Sequence, residues 1–292
     1  MTPIIRAFFD EATNTVSYLV ADPRSQRAAV IDPVLDYDPK SGEVDIRSVR
    51  AVLDAAQASG LSIEWTLETH AHADHLSGSP YIKARTGAKI GIGEHIKDVQ
   101  RIFRPIFNDP DLKADGSDFD RLFADGEHFA VGALDVEVLY TPGHTPACIS
   151  YKIGDAVFVG DTMFMPDYGT ARADFPGGNA QTLYRSIQRL LALPPDTRLF
   201  MCHDYKAPGR DHYAWETTVA AERNNVHLKD GVSEDAFVAM RNTRDAKLST
   251  PTLLLPSIQV NIRAGHFPAA EANGVRYLKV PVTFKGGATG VA

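Results

Sequence analysis

The chain has 292 residues, of which 44 % are hydrophobic and 23 % are charged, and it carries a net charge of −7. This composition is typical of a folded globular protein, and the acidic balance argues against a nucleic-acid-binding protein, which usually presents a basic face. No apolar run approaches the ~20 residues of a membrane span and no signal peptide is evident, so we expect a cytoplasmic protein whose two cysteines, Cys148 and Cys202, are reduced thiols.

The first half of the chain alternates strand and helix patterns. Apolar residues with a period of two predict strands, and apolar residues spaced by three and four predict helices. These patterns predict strands over residues 4–9, 15–21, 28–31, 63–68 and 89–92, and helices over 46–58, from about 76 to 85, and over 95–103. Residues 104–121 are rich in Pro, Asp and Gly, and two interpretations stay open for them, a lid over a site or a plain surface loop.

The second half begins with closely spaced strands and continues with helices. Strands are predicted over residues 134–140, 148–153, 156–159 and 199–202, and helices over 182–193, 216–225 and 234–243. From about residue 253 the chain is expected to be irregular.

Residues 69–75 read Thr-His-Ala-His-Ala-Asp-His, which is a higher density of histidine and aspartate than packing requires. Neutral imidazole together with carboxylate is a ligand set for zinc, iron or manganese. The run lies between a predicted strand and a predicted helix, where α/β folds commonly place their chemistry. A histidine-rich surface loop is the alternative interpretation, and the position at a strand end favours a metal site.

Three further candidates each follow a short apolar strand. They are His144, Asp161 and His203. Taken singly, each histidine is more typical of a structural or exposed residue than of a ligand. Because all three follow strand ends, as the first cluster does, we expect them to converge with that cluster on one edge of a sheet.

These motifs resemble those of the metallo-beta-lactamase superfamily. The resemblance rests on the run at 69–75 and on three turns that follow in the family's order, Pro142-Gly143-His144-Thr145, Gly160-Asp161-Thr162 and His203-Asp204-Tyr205. It implies an α/β fold, the αββα sandwich, with two mixed sheets flanked by helices and the metal at one sheet edge. We expect residues 1–292 to form a single domain of this type, with an extended C-terminal segment from about 245 to 292.

Two glutathione-linked branches of the superfamily look most similar, persulfide dioxygenase (sulfur dioxygenase) and glyoxalase II. Residues 169–175, Gly-Thr-Ala-Arg-Ala-Asp-Phe, and the Asn261-x-Arg263-x-Gly265 element resemble the dioxygenase. The separate helical domain of glyoxalase II is not evident. Residues 206–214 and the longer tail depart from the short form of the dioxygenase, which suggests a bacterial subtype.

The dioxygenase resemblance implies one Fe(2+) per chain, held by His70, His144 and Asp161. Two imidazoles and one carboxylate form the facial triad of oxygen-activating Fe(II) enzymes. The implied reaction oxidises glutathione persulfide, or a related thiol persulfide, with O2 and water to sulfite and the thiol.

Four more residues of the motifs leave the metal count open: His72, Asp74, His75 and His203. In two-metal relatives they bind metal, whereas the dioxygenases keep them as groups that orient ligands and water. The main alternative is therefore a dinuclear, zinc- or iron-containing thioesterase similar to hydroxyacylglutathione hydrolase. A non-catalytic metal-dependent sensor is a further alternative, which the intact ligand set disfavours.

Glutathione carries two carboxylates, so its pocket needs fixed hydrogen-bond donors. Arg172, Tyr205 and Arg210 are the candidates for substrate binding, Arg172 first because a guanidinium grips a carboxylate in bidentate fashion. An ion pair with Asp174 is the alternative for Arg172. For Asn261 in the C-terminal element, anchoring of the backbone is the favoured interpretation. A homodimer is the default expectation for such an enzyme.

Overall fold

Fifteen strands and seven helices make up the fold, in a computed structural model that describes residues 1–284. The strands are β1 (Ile4–Asp10), β2 (Thr15–Ala21), β3 (Arg27–Ile31), β4 (Val34–Asp38), β5 (Glu43–Asp45), β6 (Ser62–Leu67), β7 (Leu76–Ser77), β8 (Lys89–Gly93), β9 (Arg121–Phe123), β10 (His128–Val131), β11 (Leu134–Tyr140), β12 (Ile149–Ile153), β13 (Ala156–Phe158), β14 (Arg198–Phe200) and β15 (Glu216–Thr218). The helices are α1 (Arg47–Ala58), α2 (Ser79–Thr86), α3 (Ile96–Ile106), α4 (Ala180–Leu191), α5 (Val219–Glu222), α6 (Glu234–Asp245) and α7 (Leu254–Asn261).

Two six-stranded sheets lie at the centre. The first has the order β1-β2-β3-β6-β8-β9, antiparallel over its first three strands and parallel from β3 onward. The second has the order β10-β11-β12-β13-β14-β15, in which only the β13–β14 pair is parallel. A small sheet, β5-β4-β7, lies beside them. Both large sheets are mixed, as expected.

The two sheets pack against each other through an interior of mainly apolar side chains. Val20 and Ile31 from the first sheet and Val136, Tyr151 and Phe158 from the second belong to one buried cluster. Helices α1 and α2 pack with buried residues of the first sheet, and α4 and α6 with those of the second. The predicted αββα sandwich is therefore confirmed, because apolar residues on both faces of each sheet require cover on both sides.

The strand ends bring the predicted ligands together. The histidine run follows β6 in the first sheet, whereas His144, Asp161 and His203 follow β11, β13 and β14 in the second. All of these strands end at the same edge of the sandwich, so residues from both sheets meet there. This edge is where the sequence predicts the metal.

Three predicted elements differ in the structure. The helix expected over 216–225 is helical only over Val219–Glu222, because Glu216–Thr218 pairs with β14 and extends the second sheet. The helix expected from about 76 begins at Ser79, since Leu76–Ser77 pairs with β4. The prediction that the chain is irregular after about residue 253 is wrong for α7, whose Ile258 and Val260 are fully buried. In each case contacts distant in sequence override the local pattern.

The segment 104–121 packs onto the body of the protein. Helix α3 extends into it as far as Ile106, and Leu112 and Phe119 are buried in the same apolar cluster as α3. These contacts favour the loop interpretation over a lid. That residues 1–292 form a single domain with an extended C-terminal segment stays a prediction. The last residues of that segment, 285–292, lie outside the described part of the chain. Over residues 1–284, none of the helices has the length and hydrophobicity needed to cross a membrane.

Candidate metal centre

His70, His144 and Asp161 converge at the edge of the sandwich. One ligand atom of each lies within 4.8 Å of the others, and all three residues are buried. Asp161 Oδ2 lies 3.6 Å from His144 Nε2 and 3.9 Å from His70 Nε2. These separations exceed hydrogen-bonding distance. They are close to the spacing of atoms that share one metal ion at ~2.1 Å.

Hydrogen bonds to the far side of each ring orient these two imidazoles. His144 Nδ1 lies 2.8 Å from the carbonyl oxygen of Arg172, which can only accept a proton. His70 Nδ1 lies 3.0 Å from Thr69 Oγ1, and that hydroxyl in turn donates to Asp32. In both rings Nδ1 therefore carries the proton, and the Nε2 lone pair faces Asp161, as a metal ligand requires.

The ring of His72 has the opposite orientation to those of His70 and His144. Its Nε2 lies 2.9 Å from Asp32 Oδ1 and 3.5 Å from Glu68 Oε2, so that Nδ1 is the free atom. Burial by itself lowers the pKa of His72, but the two carboxylates outweigh it and raise that pKa well above 6.5. Burial and the neighbouring rings lower the pKa of His70 well below 6.5, which keeps it neutral and able to bind metal.

A second set of donors adjoins the first through Asp161. His203 Nε2 lies 3.4 Å from Asp161 Oδ1 and 3.5 Å from Asp74 Oδ2, while its Nδ1 donates to the Asn14 carbonyl. His75 contacts Asp74 through Nδ1 at 3.2 Å. One oxygen of Asp161 therefore faces His70 and His144 and the other faces His203, an arrangement that suits a carboxylate shared by two ions.

The donor atoms of this cluster lack partners. Five buried side-chain atoms here have no hydrogen-bond partner among residues 1–284: His70 Nε2, His72 Nδ1, His75 Nε2, Asp161 Oδ1 and His203 Nε2. Leaving a buried polar atom unpaired costs about 1–3 kcal/mol, so five in one place indicate that the cluster binds a group from outside the chain. Imidazole and carboxylate donors aimed at a common point fit a transition-metal ion.

Both cysteines are free and buried, as expected for reduced thiols. Cys202 Sγ lies within 4.8 Å of the ligand atoms of Asp161 and His203, so it borders the centre. Burial raises the pKa of Cys148 to about 12 and that of Cys202 well above its usual range. Neither thiol is therefore a reactive thiolate.

A cavity of about 590 Å³ opens onto the centre. Asp74, His144 and Asp161 form its floor, and Phe164 and Tyr205 belong to its walls. The ring of Tyr205 stacks on His203, with centroids 5.6 Å apart. A volume of this size holds a small peptide or cofactor-sized ligand.

The predicted substrate-binding arginines are both paired with carboxylates. Arg172 lines the cavity, but it contacts Asp174 through two bonds of 2.6 and 2.7 Å and donates to the Ser249 carbonyl. This is the ion pair given as its alternative role. Arg210 grips Asp204 and Asp167 and is absent from the cavity lining over the described residues. Tyr205, the third candidate, lines the cavity. Its hydroxyl has no hydrogen-bond partner within residues 1–284, so it differs from the two arginines, whose guanidinium groups are paired.

Several residues near the centre were not among the predicted site residues. Asp32 receives hydrogen bonds from the Thr69 backbone, the Thr69 hydroxyl and His72. It follows the apolar strand β3 just as Asp161 follows β13, so the same strand-end pattern could have found it. Tyr168, His227, Arg241 and Arg244 also line the cavity, and no local sequence pattern indicates them.

Comparison with known proteins agrees with this geometry. The model of the metallo-beta-lactamase superfamily matches residues 11–203, which include every predicted metal ligand. The chain belongs to the metallo-beta-lactamase superfamily. Among solved structures, the crystal structure of ETHE1 from Myxococcus xanthus is similar to this protein. The TM-score is 0.71 and the sequence identity is 30 %, over 90 % of this chain and 100 % of the other.

Relatives within the superfamily carry more than one functional name. A probable metallo-hydrolase of Burkholderia pseudomallei is 54 % identical over 95 % of this chain and 98 % of its own length. Glyoxylase B2 of Dictyostelium discoideum is 46 % identical over 96 % and 97 % of the two chains. The mitochondrial persulfide dioxygenase ETHE1 of Homo sapiens is 25 % identical over 90 % and 89 %.

Proposed function

We propose that this protein is an Fe(II)-dependent persulfide dioxygenase, which converts glutathione persulfide, O2 and water to glutathione and sulfite. The observation that carries the proposal is the set of two imidazoles and one carboxylate, His70, His144 and Asp161, of which His144 and Asp161 lie at the floor of a cavity. That set leaves several positions of an iron open. The similarity to ETHE1 proteins supports the choice of reaction.

Iron(II), when bound by these three residues, supplies open coordination positions and the capacity to activate dioxygen. With one carboxylate and two neutral rings, a divalent ion and its three ligands would carry a charge of about +1, which favours an anionic persulfide as a further ligand. Phe164 is 6 % exposed and packs edge-on against Tyr205 with centroids 5.8 Å apart. These rings limit the access of water to the floor of the cavity.

The reaction balances without another cofactor. The sulfur–sulfur bond of the persulfide breaks, and the carrier keeps its own sulfur as a thiol. The terminal sulfur leaves as sulfite, with two oxygens from O2 and one from water. In this proposal His72, Asp74, His75 and His203 orient ligands and water through the hydrogen bonds that they share with Asp32, Thr15 and Asn14.

A dinuclear thioesterase is the second candidate, and a specific observation favours it. The two oxygens of Asp161 face separate groups of donors, and His75 Nε2 and His203 Nε2 have no hydrogen-bond partner within residues 1–284. These atoms could hold a second ion, whose role would be to activate water for attack on a thioester. The similarity to glyoxylase B2 supports this alternative.

Metal analysis combined with measurement of oxygen uptake distinguishes the dioxygenase from the thioesterase. The protein is purified anaerobically, iron and zinc are counted per chain, and glutathione persulfide is then added in an oxygen electrode. We expect about one iron per chain, with oxygen consumed and sulfite formed in equal amounts. Light scattering on the same sample tests the predicted homodimer.

Matched histidine variants complete the test. His144→Ala should lose both the iron and the oxygen uptake, whereas His128→Ala, at an exposed histidine paired with Asp135 on the second sheet, should keep both. Two metal ions per chain, no oxygen uptake and turnover of an acylglutathione thioester would replace the dioxygenase with the hydrolase.

A further inference from the structure

The start of strand β2 joins the two large sheets beside the metal centre. The backbone N–H of Val16 donates to the Cys202 carbonyl at 2.7 Å, and Thr15 pairs with β1 on one side and with His203 on the other. Thr15 is fully buried, and its β-branched side chain has few rotamers. The backbone pairing on both sides therefore fixes where the Thr15 hydroxyl lies.

That hydroxyl lies among the second set of donors, Asp74, His75 and His203. Thr15 Oγ1 lies 3.1 Å from Asp74 Oδ2, 3.4 Å from His203 Nδ1 and 3.5 Å from His75 Nδ1. It also accepts a hydrogen bond from Thr13 Oγ1 at 2.9 Å. The hydroxyl therefore faces the Nδ1 side of both rings, away from the Nε2 atoms that lack partners, and it can influence the second set without being a ligand itself.

Only one of the three neighbouring donors can accept the proton of the Thr15 hydroxyl. His203 Nδ1 lies 3.1 Å from the Asn14 carbonyl, which can only accept, so this nitrogen carries a proton of its own. His75 Nδ1 lies 3.2 Å from Asp74 Oδ2, so it is the protonated nitrogen of that ring. The Thr15 hydroxyl consequently donates to Asp74 Oδ2.

Asp74 Oδ2 is thereby saturated with hydrogen bonds from the protein. A carboxylate oxygen has two lone pairs, and here they accept from Thr15 and from His75. The same oxygen lies 3.5 Å from His203 Nε2, where a second ion would need it as a ligand. Binding of a second ion through Oδ2 therefore requires the loss of one of these two hydrogen bonds.

We propose that Thr15 determines the number of metal ions in the centre, because its hydrogen bond to Asp74 Oδ2 keeps the second set of donors from taking an ion. The inference rests on the proposed function, which requires one iron per chain, and it names a residue that maintains this count. Over the described residues, Thr15 is absent from the lining of the cavity. It is therefore a positioning residue that acts through Asp74.

The affinity for a second ion tests this role without any turnover. Protein loaded with one equivalent of iron(II) is titrated anaerobically with zinc(II) in a calorimeter, and iron and zinc per chain are counted after desalting. Thr15→Val keeps the shape of the side chain and removes the hydroxyl. We expect this variant to bind zinc about 10- to 100-fold more tightly than the wild type, as for the loss of a competing hydrogen bond to a charged group, and to keep its iron.

Three further variants complete the comparison. Thr15→Ser keeps the hydroxyl and should have the zinc affinity of the wild type. Thr66→Val removes another fully buried hydroxyl, which bonds to Ser79 on α2 at 2.7 Å, and should also leave the zinc affinity unchanged. Thr15→Ala gives the same comparison if the valine variant does not fold. Zinc that binds Thr15→Val no more tightly than the wild type, or that only replaces its iron, would overturn the inference.

The same titrations distinguish a failure of this inference from a failure of the proposed function. If the wild type holds one iron and consumes oxygen with the persulfide, but Thr15→Val has an unchanged zinc affinity, the dioxygenase stands and the role of Thr15 does not. If the wild type takes two ions and consumes no oxygen, but Thr15→Val binds the second ion more tightly, the role of Thr15 stands and the dioxygenase does not. When both hold, the wild type keeps one ion at a zinc concentration at which Thr15→Val holds two.

Discussion

The side-chain amide of Asn261 donates to the backbone carbonyl of His72 at 2.8 Å, across 189 positions of sequence. The same amide nitrogen donates to the carbonyl of His75, and its oxygen accepts from the backbone N–H of Ser77, both at 2.8 Å. All three bonds are buried. A residue at the C-terminal end of α7 therefore fixes the backbone of the histidine run, and its predicted role as a backbone anchor agrees with these contacts.

Asn261→Ala should damage the metal centre without touching a ligand. Three buried backbone groups would lose their partner, which we expect to cost about 3 kcal/mol of unfolding free energy and about 10- to 100-fold in iron affinity. Gln259→Ala is the control: its amide is also buried on α7 but bonds to Leu255 and Lys279, away from the histidine run. Urea unfolding and iron titration of both variants measure the effects, and equal iron affinities would contradict the prediction.

Gly143→Ala should disrupt the turn that presents His144. The residue has φ of +136°, and a Cβ there would lie 2.3 Å from the backbone Cα of Leu183 on α4. Since backbone cannot move aside as a flexible side chain can, we expect loss of soluble protein or of bound iron. Gly126→Ala also has positive φ, +70°, but no atom of the described chain lies within 4 Å of its Cβ position. This control should cost only about 1 kcal/mol and keep its iron.

Arg210→Met should lower stability much more than substrate affinity. The guanidinium pairs with Asp204, whose side chain is 1 % exposed, and its loss leaves that carboxylate buried without a cation. Breaking a buried pair in this way costs about 3 kcal/mol. Thermal unfolding and the KM for the persulfide are the measurements, with Arg185→Met, at an exposed pair with Glu234, as the control of small effect. A large rise in KM at unchanged stability would restore the predicted substrate role of Arg210.

Glu222 should make the protein less stable as pH rises. Burial raises the pKa of this carboxyl to about 8, although the hydrogen bond from Asn225 acts in the opposite direction. Between the unfolded value of 4.5 and about 8, the folded state holds a proton that the unfolded chain has lost. The contribution of Glu222 to the free energy of unfolding therefore falls by up to ~1.4 kcal/mol for each pH unit of increase over that window.

Glu222→Gln tests this pH dependence of the unfolding free energy, because glutamine resembles the protonated acid and cannot ionise. The variant should gain stability over the wild type as pH rises from 6 to 8, with a shrinking difference toward pH 5. Urea unfolding at each pH gives the comparison, and Glu11→Gln, at an exposed carboxyl, serves as the control. Parallel stability curves for Glu222→Gln and the wild type would show that the carboxyl is ionised in the folded state.

Much of the fold was predictable because its strands carry strong local signals. Thr15–Ala21 and Leu134–Tyr140 have the predicted bounds, since the first is a mainly apolar stretch, the second alternates apolar and charged residues, and turn residues follow both. The short strands Val34–Asp38 and Arg121–Phe123 were not predicted. They form by pairing with strands that are already in place, and a strand of three to five residues has too few side chains to show a period.

The sequence by itself determined the residue types that follow the strand ends and the order of the motifs, and it predicted candidate metal ligands from them, because these depend on residue identity and on local chain geometry. Only the tertiary structure decided that Asp161 lies between His203 on one side and His70 and His144 on the other, that Arg172 and Arg210 are neutralised by carboxylates, and that Arg244 lines the cavity. Each of these depends on which distant segments the packed sheets and helices bring within a few ångströms. No local pattern encodes such distances, since they are set by the packing of the whole core.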